Sequence, residues 1–191
     1  MPSIPEVGYT GSMPAFTLIT GNQHKLNEWR RLIPSDLDFT HQAVDLDEIQ
    51  SFDSAEIIRH KLRQAYQIVK GPVVVEDVSA GLDEWNGLPG PFVKFFIERL
   101  GKDALHKLGG NNAPMTASCT IGYYDGQDEI IVNGTVQGKV VSSRGEGFGF
   151  DNVFMPNGHT KTYAEMTPAE KDAVSHRHLA VDKLLAELKQ L

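Results

Sequence analysis

Three short stretches of the 191-residue chain carry residue types that could hold and cleave a phosphorylated ligand. Thr20-Gly-Asn-Gln-His-Lys25 lies between an expected strand and a helix start. Free backbone N–H groups and the helix dipole favour an anion at such a place, and Gly21 lets a ligand approach closely. Asn22 can donate to a phosphate oxygen, and Lys25, one turn on, can neutralise it. The same residues would equally form a capped helix with an exposed lysine. No G-x-x-x-x-G-K-S/T loop occurs in the chain. Val73-Val-Val-Glu76-Asp77 sets two adjacent carboxylates at the expected C-terminal end of a buried strand, the end at which open α/β sheets gather ligands. Oxygen donors of this kind suit Mg²⁺, although neighbours on a strand point to opposite faces and need not share one ion. A strand that simply ends in solvated acids is the alternative. Gly145-Glu-Gly-Phe-Gly-Phe-Asp151 interleaves glycine with two aromatics. Phe148 or Phe150 could stack on a base through its π-face, or both could fill a core.

Other clusters say less. The acids of Asp45-Leu-Asp-Glu48 read as a solvated loop. In Ser175-His-Arg-His178 the two histidines are two apart and diverge on a helix, which argues against a zinc pair. No nucleophile elbow precedes Ser175. Together the stretches supply phosphate donors, a metal-type acid pair, an aromatic platform and late basic residues. That combination suits nucleoside triphosphate chemistry.

The elements that must position these residues alternate early between strand and helix. Ala15–Thr20 reads as a short strand, and a helix follows with Asn22 as N-cap, Leu26, Trp29 and Ile33 on one face, and Pro34 as its stop. Residues 35–53 read as irregular. Ile58, Leu62, Ala65 and Val69 mark a second helix closed by Gly71-Pro72, and Val73-Val-Val75 reads as a strand covered on both faces. After the turn Asn86–Pro91, with Pro91 suited to the first helical position, Val93, Phe96, Ile97 and Leu100 supply a buried stripe ended by Gly101. Thr116–Tyr124 and Glu129–Val136 read as a hairpin around Asp125-Gly126, which Lys139–Ser143 could extend. A short helix near Pro168–Val174 and a final one carrying Val181, Leu184, Leu185 and Leu188 complete a mixed α/β class. Residues 1–14 read as a loose extension without a secretory or mitochondrial signal, and 15–191 as one domain.

Composition excludes several classes. One cysteine, Cys119, leaves no disulfide framework or cysteine-based zinc site. No apolar run approaches the roughly 18 residues that cross a bilayer. With 18 Lys and Arg against 25 Asp and Glu, the net charge of −7 argues against binding nucleic acid or an anionic membrane through bulk charge.

From about Phe16 to Leu188 the sequence resembles the inosine triphosphate pyrophosphatases. The motifs that carry the resemblance are Thr20-Gly-Asn22 with Lys25, Val75-Glu-Asp77, Gly87–Pro91, Phe148–Asp151, Thr162-Tyr-Ala-Glu-Met166, and Lys171 followed by Ser175-His-Arg177. The resemblance implies an elongated mixed sheet between two lobes with the nucleotide in the cleft, a cytoplasmic homodimer, and Mg²⁺-dependent hydrolysis of ITP, dITP and XTP, with Mn²⁺ able to substitute. It implies that Thr20, Gly21, Asn22, Lys25 and Lys61 hold the phosphates. Glu48 and Asp77, with Glu76, would bind metal, and Asp77 would be catalytic with Lys25 and Lys61. Phe148 would stack on the base, with Gly149, Phe150, Asp151, Lys171, Ser175, His176 and Arg177 around its edge. Loss of Arg177 would then cost ITP turnover far more than stability. Three departures from the family pattern stand out. Asn152 replaces a usual proline, an expected loosening of its loop. Asp172 replaces a usual asparagine, an expected extra negative charge near the base pocket. Val78-Ser-Ala-Gly81 differs from the usual residues after the catalytic aspartate. The alternatives are a Maf-type pyrophosphatase of modified pyrimidine nucleotides and a catalytically silent nucleotide-binding module.

Overall fold

Phe16, Leu18 and Ile19 are buried along β1 (Phe16–Ile19), and the chain turns at Thr20-Gly21 into α1 (Gln23–Leu32). The computed structural model describes residues 15–191; the expected extension over residues 1–14 lies outside them. Asn22 is the N-cap of α1, its side chain accepting from the backbone N–H groups of His24 and Lys25, as a capping asparagine should. The stretch expected to be irregular contains a short strand, β2 (Phe39–Gln42), parallel to β1. Only Phe39 of its four residues is even partly buried, so no apolar alternation announced it. Asp53 caps α2 (Ser54–Val69), and Lys70 ends it in the left-handed conformation.

β3 (Val73–Leu82) does not stop at Glu76-Asp77. It continues five residues further because β5 (Pro114–Tyr124) pairs with all of it, from Val73 opposite Tyr124 to Leu82 opposite Met115. The two acids therefore sit in the middle of a strand. β4 (Pro89–Gly90) folds back on the end of β3, so tightly that a Cβ on Gly81 would lie 1.8 Å from the Gly87 carbonyl oxygen. α3 (Val93–Leu100) starts two residues beyond Pro91, which is not its first position. Of its expected stripe, Val93 is buried, Phe96 and Ile97 are half-buried, and Leu100 is 40% exposed. A short α4 (Ala104–Gly109), with no counterpart in the sequence reading, buries Leu105. β5 and β6 (Glu129–Val140) form the expected hairpin, its turn closed by Asp125 accepting from the Gln127 and Asp128 N–H groups. β7 (Phe154–Pro156), α5 (Pro168–Asp172) and α6 (His176–Leu188) complete the chain.

The seven strands form one sheet in the order β2-β1-β3-β5-β6-β7, with β4 beside β3. Contacts around β1 are parallel and the rest antiparallel. The β3–β5–β6 ribbon is ten to twelve residues long, on the order of 35 Å at ~3.3 Å per residue, more than one cluster of side chains can cover. Near β1, Trp29 of α1 and Leu184 of α6 pack on one face, and Ile58 and Leu62 of α2 on the other. At the far end Leu105, Phe154 and Tyr163 form a third cluster. The result is the expected elongated mixed sheet flanked by helices. No helix among the described residues is long and apolar enough to cross a membrane.

Candidate functional site

Strand alternation separates the two acids of β3. Val74 packs with α1 and α6 and Val75 with α2; accordingly Glu76 meets Trp29 and Arg177, and Asp77 meets Lys61.

On the α2 face, Lys61 Nζ donates to Asp77 Oδ1 at 2.9 Å and pairs with Glu48 Oε1 at 2.7 Å. Lys61 is buried, while the Glu48 side chain is 46% exposed. Burial disfavours the Lys61 ammonium, yet Asp77 and Glu48 outweigh it and raise its pKa. Burial likewise works against the Glu48 carboxylate, and Lys61, Lys94 and Lys25 outweigh it, holding Glu48 below its ordinary value. Asp77 Oδ2 is buried and has no hydrogen-bond partner among the described residues. Leaving such an oxygen unsatisfied costs about 1–3 kcal/mol, so the site carries an unfilled demand for a donor or cation. Two carboxylates gathered by one lysine, one with a free oxygen, fit a hard divalent cation that completes its shell with phosphate and water. Among the described residues no group of three or more His, Cys, Asp or Glu is placed for a metal.

Glu76, expected as a further metal ligand, is corrected by this geometry. It lies on the opposite face and both its oxygens are taken. Oε1 accepts from Arg177 Nη2 at 2.8 Å and meets Lys25 Nζ at 3.1 Å. Oε2 accepts from Arg177 Nε at 2.9 Å and from the Trp29 indole at 2.7 Å. Burial alone would raise its pKa, but Arg177, Lys25 and Trp29 drive it far below the carboxylate range. Arg177 also donates through Nη1 to Glu28, and Lys171 Nζ bridges Glu28 at 2.8 Å and Asp151 at 2.7 Å. Three cations and three anions thus form one chain, Lys25–Glu76–Arg177–Glu28–Lys171–Asp151. Burial opposes the Glu28 charge but Arg177 and Lys171 prevail and lower its pKa; at Asp151 burial prevails over Lys171 and raises it. Arg177 is only 3% exposed with all three nitrogens committed, so it is not a free donor to a base edge. Glu28 was missed by the sequence reading. Its one signal is a carboxylate between Leu26 and Trp29 on the buried face of α1.

The glycine-rich loop divides its two phenylalanines. Phe148 is 38% exposed and stacks on His24, ring centroids 4.9 Å apart and 21° from parallel. Phe150 is buried edge-on against Phe154 and fills the far core rather than offering a stacking face. Between them Gly149 takes φ +63°, a value that favours glycine. Asn152 does not loosen the loop: its side-chain amide donates to Ser143 Oγ and its backbone carbonyl accepts from the Arg144 N–H, although its Oδ1 has no partner among the described residues. Nor does Asp172 add free charge, since Arg31 of α1 holds both its oxygens at 2.5 and 2.9 Å.

Ser175 is the N-cap of α6, accepting from the His178 N–H. His176 is buried between Phe150 and Tyr163 with its Nδ1 unpartnered among the described residues. Burial, then Arg177 and Lys171, pull its pKa down to about 3, so it is neutral. At the opening turn, Thr20 Oγ1 accepts from the Asn22 N–H, and a Cβ on Gly21 would meet no atom within 4 Å. The fold leaves that space open. His41 of β2, unseen with its strand, donates from Nε2 to the Thr20 carbonyl at 2.7 Å.

An open mixed sheet, a capped glycine turn, a carboxylate pair gathered by lysine and an aromatic loop facing α1 define an α/β protein equipped for a phosphorylated, planar ligand. The chain belongs to the Ham1 family, whose sequence pattern matches residues 16–187. It is 40% identical over 177 residues to the inosine triphosphate pyrophosphatase of Schizosaccharomyces pombe, covering 90% of this chain and 94% of that one. Its fold is similar to that of a HAM1 protein from Coxiella burnetii, with a TM-score of 0.78, 25% identity, and 94% and 100% of the two chains covered. It is also similar to the nucleoside-triphosphatase, or dITP/XTP pyrophosphatase, of Mycobacterium abscessus, with a TM-score of 0.67, 25% identity, and coverage of 90% and 99%.

Proposed function

We propose that the protein hydrolyses ITP, dITP and XTP to the monophosphate and pyrophosphate, clearing non-standard purines from the nucleotide pool. The observation that carries this reading is the unpartnered, buried Oδ2 of Asp77 beside Lys61 and Glu48, in a chain whose relative at 40% identity bears that activity in its name.

Lys25 and Lys61 grip the triphosphate, Lys25 exchanging its contact with Glu76 and Lys61 its contact with Glu48 for phosphate oxygens. The open space at Gly21, at the N-terminal end of α1 where the helix dipole favours an anion, takes the neighbouring phosphate. Glu48 and Asp77 would hold Mg²⁺, or Mn²⁺ in its place, which when bound would supply positive charge to offset that of the phosphates and of the departing pyrophosphate. Asp77 Oδ2 receives the proton of the attacking water as its oxygen bonds to the α-phosphorus and the bond from that phosphorus to the bridging oxygen breaks. Lys61, fixed on Oδ1, orients the carboxylate for that task.

Phe148 supplies the stacking face for the base. Hypoxanthine and xanthine carry an acceptor at C6 where adenine carries an amino group. The third N–H of Lys171, beyond those given to Glu28 and Asp151, and the Gly149 and Phe150 N–H groups present donors to that edge, and Arg177 holds Glu28 and Glu76 in place behind it. Sites matched in this way discriminate by about 10⁴-fold or more. The exposed side chains of Phe52, Trp85, Leu88 and Phe95 support assembly as a homodimer, and the acidic balance supports an enzyme with no nucleic-acid or membrane partner, which we place in the cytoplasm.

Pyrophosphate release from ITP, XTP, ATP, GTP, dUTP and methylated UTP, with and without Mg²⁺, tests the reading. Cation-dependent release from ITP and XTP is expected. Preference for the pyrimidines would point to the Maf-type reaction, and binding without release would overturn catalysis.

A further inference from the structure

The ring of His24 has no role in the chemistry above, yet it occupies a defined place. His24 and Glu28 are four residues apart on α1 and so share a face. Opposite them, Phe148 and Asp151 lie three apart in the loop, the Phe148 N–H donating to Asp151 Oδ2 at 3.4 Å. The wall made by α1 and the wall made by the loop are joined twice. At the buried end Lys171 bridges Glu28 and Asp151. At the open end the His24 ring stacks on Phe148 at 4.9 Å. His24 takes part in none of the ion pairs among the described residues, and its backbone N–H is fixed by Asn22 Oδ1 in the same turn that carries Lys25. The only large aromatic face the loop leaves exposed is thus covered by an imidazole from the phosphate-gripping turn.

We propose that His24 is the second wall of the base site: the purine enters between the His24 and Phe148 rings, which close on each other when no nucleotide is present. The inference rests on the reading of the protein as a purine nucleoside triphosphatase. It adds a residue that contacts substrate and that ties base binding to the phosphate turn, because His24 lies between Asn22 and Lys25. Stacking is indifferent to the hydrogen-bond pattern of a base edge. His24 therefore sets affinity for purines as a group, while the polar end of the cleft sets the choice among them.

Steady-state kinetics of the full chain with ITP, XTP and ATP, for wild type, His24→Ala and His24→Phe, test this. His24→Ala should raise KM about tenfold for ITP and XTP alike, a typical loss for one stacked base, with kcat within about twofold and the ITP-to-ATP preference retained. His24→Phe should restore KM. An unchanged KM overturns the proposal. A lowered KM also overturns it, since the ring would then be an obstacle that the base displaces. A rise that phenylalanine does not repair rejects stacking as its cause. Failure of wild type to hydrolyse ITP would instead reject the proposed function, so the two failures are distinct.

Discussion

Glu76 and Asp77 are adjacent in the chain and opposite in circumstance. Glu76 is enclosed, with two cations and an indole on its oxygens, in a chain of six charged groups, all but Lys25 buried, that balance three against three. Asp77 shares one oxygen with Lys61, keeps the other unpartnered, and reaches through Lys61 to a half-exposed Glu48. A saturated carboxylate can organise its surroundings but has no capacity left for a ligand. An unsaturated one is held at a cost that a ligand can repay. The strand's two-residue period, which sends the neighbours to opposite faces, is all that separates the framework from the chemistry.

The largest expected effect lies on the unsaturated side. Asp77→Asn keeps the shape but removes the proton acceptor and an anionic ligand; ITP turnover should fall by about 10³-fold or more, with the melting temperature within a few degrees of wild type. Comparable turnover in the variant would move the chemistry elsewhere. On the saturated side the loss should appear as stability. Arg177→Met strips both Glu28 and Glu76 of their shared partner, and breaking a buried pair by removing one member costs about 3–5 kcal/mol. Urea unfolding should show that loss, which reverses the sequence-based expectation that Arg177 matters mainly to turnover; a midpoint unchanged within error would show the network to be dispensable.

A smaller contrast concerns acid. His176, neutral in the fold with its pKa drawn from 6.5 to about 3, takes up a proton only on unfolding as pH falls below about 6.5. Stability should therefore decline from that pH downward. Glu76 and Glu28, both lowered from 4.5, contribute stability that is present above that value and lost as pH falls further. Asp151, raised by burial, opposes them. His176→Gln should flatten the decline between about pH 6.5 and 4.5 and leave the steeper loss below it. Identical pH profiles for the two proteins would remove His176 from the explanation.

Much of the frame was legible because its signals are local. The Asn22 cap, the Ile58–Leu62–Ala65 stripe, the hairpin about Asp125 and the apolar face of α6 each declare themselves within a few residues. The length of β3 was not legible. Two carboxylates inside a strand look like its end, and only pairing with β5 some forty residues away carries the strand past them. The site divides in the same way. Asn22, Lys25, Asp77 and Phe148 stand out by motif, but the bonds from Arg177 to Glu76 and Glu28 span 101 and 149 residues. No spacing rule could bring Glu28 forward or show that Arg177 is fully engaged. The parting of Phe148 from Phe150 needed the third core cluster, which buries one ring and leaves the other open.

Hydrolysis of ITP in ¹⁸O-labelled water, with the products weighed by mass spectrometry, tests most directly whether water aided by Asp77 attacks the α-phosphorus. One labelled oxygen should appear in inosine monophosphate and none in pyrophosphate. Label in pyrophosphate, or release of orthophosphate as the first product, would contradict it.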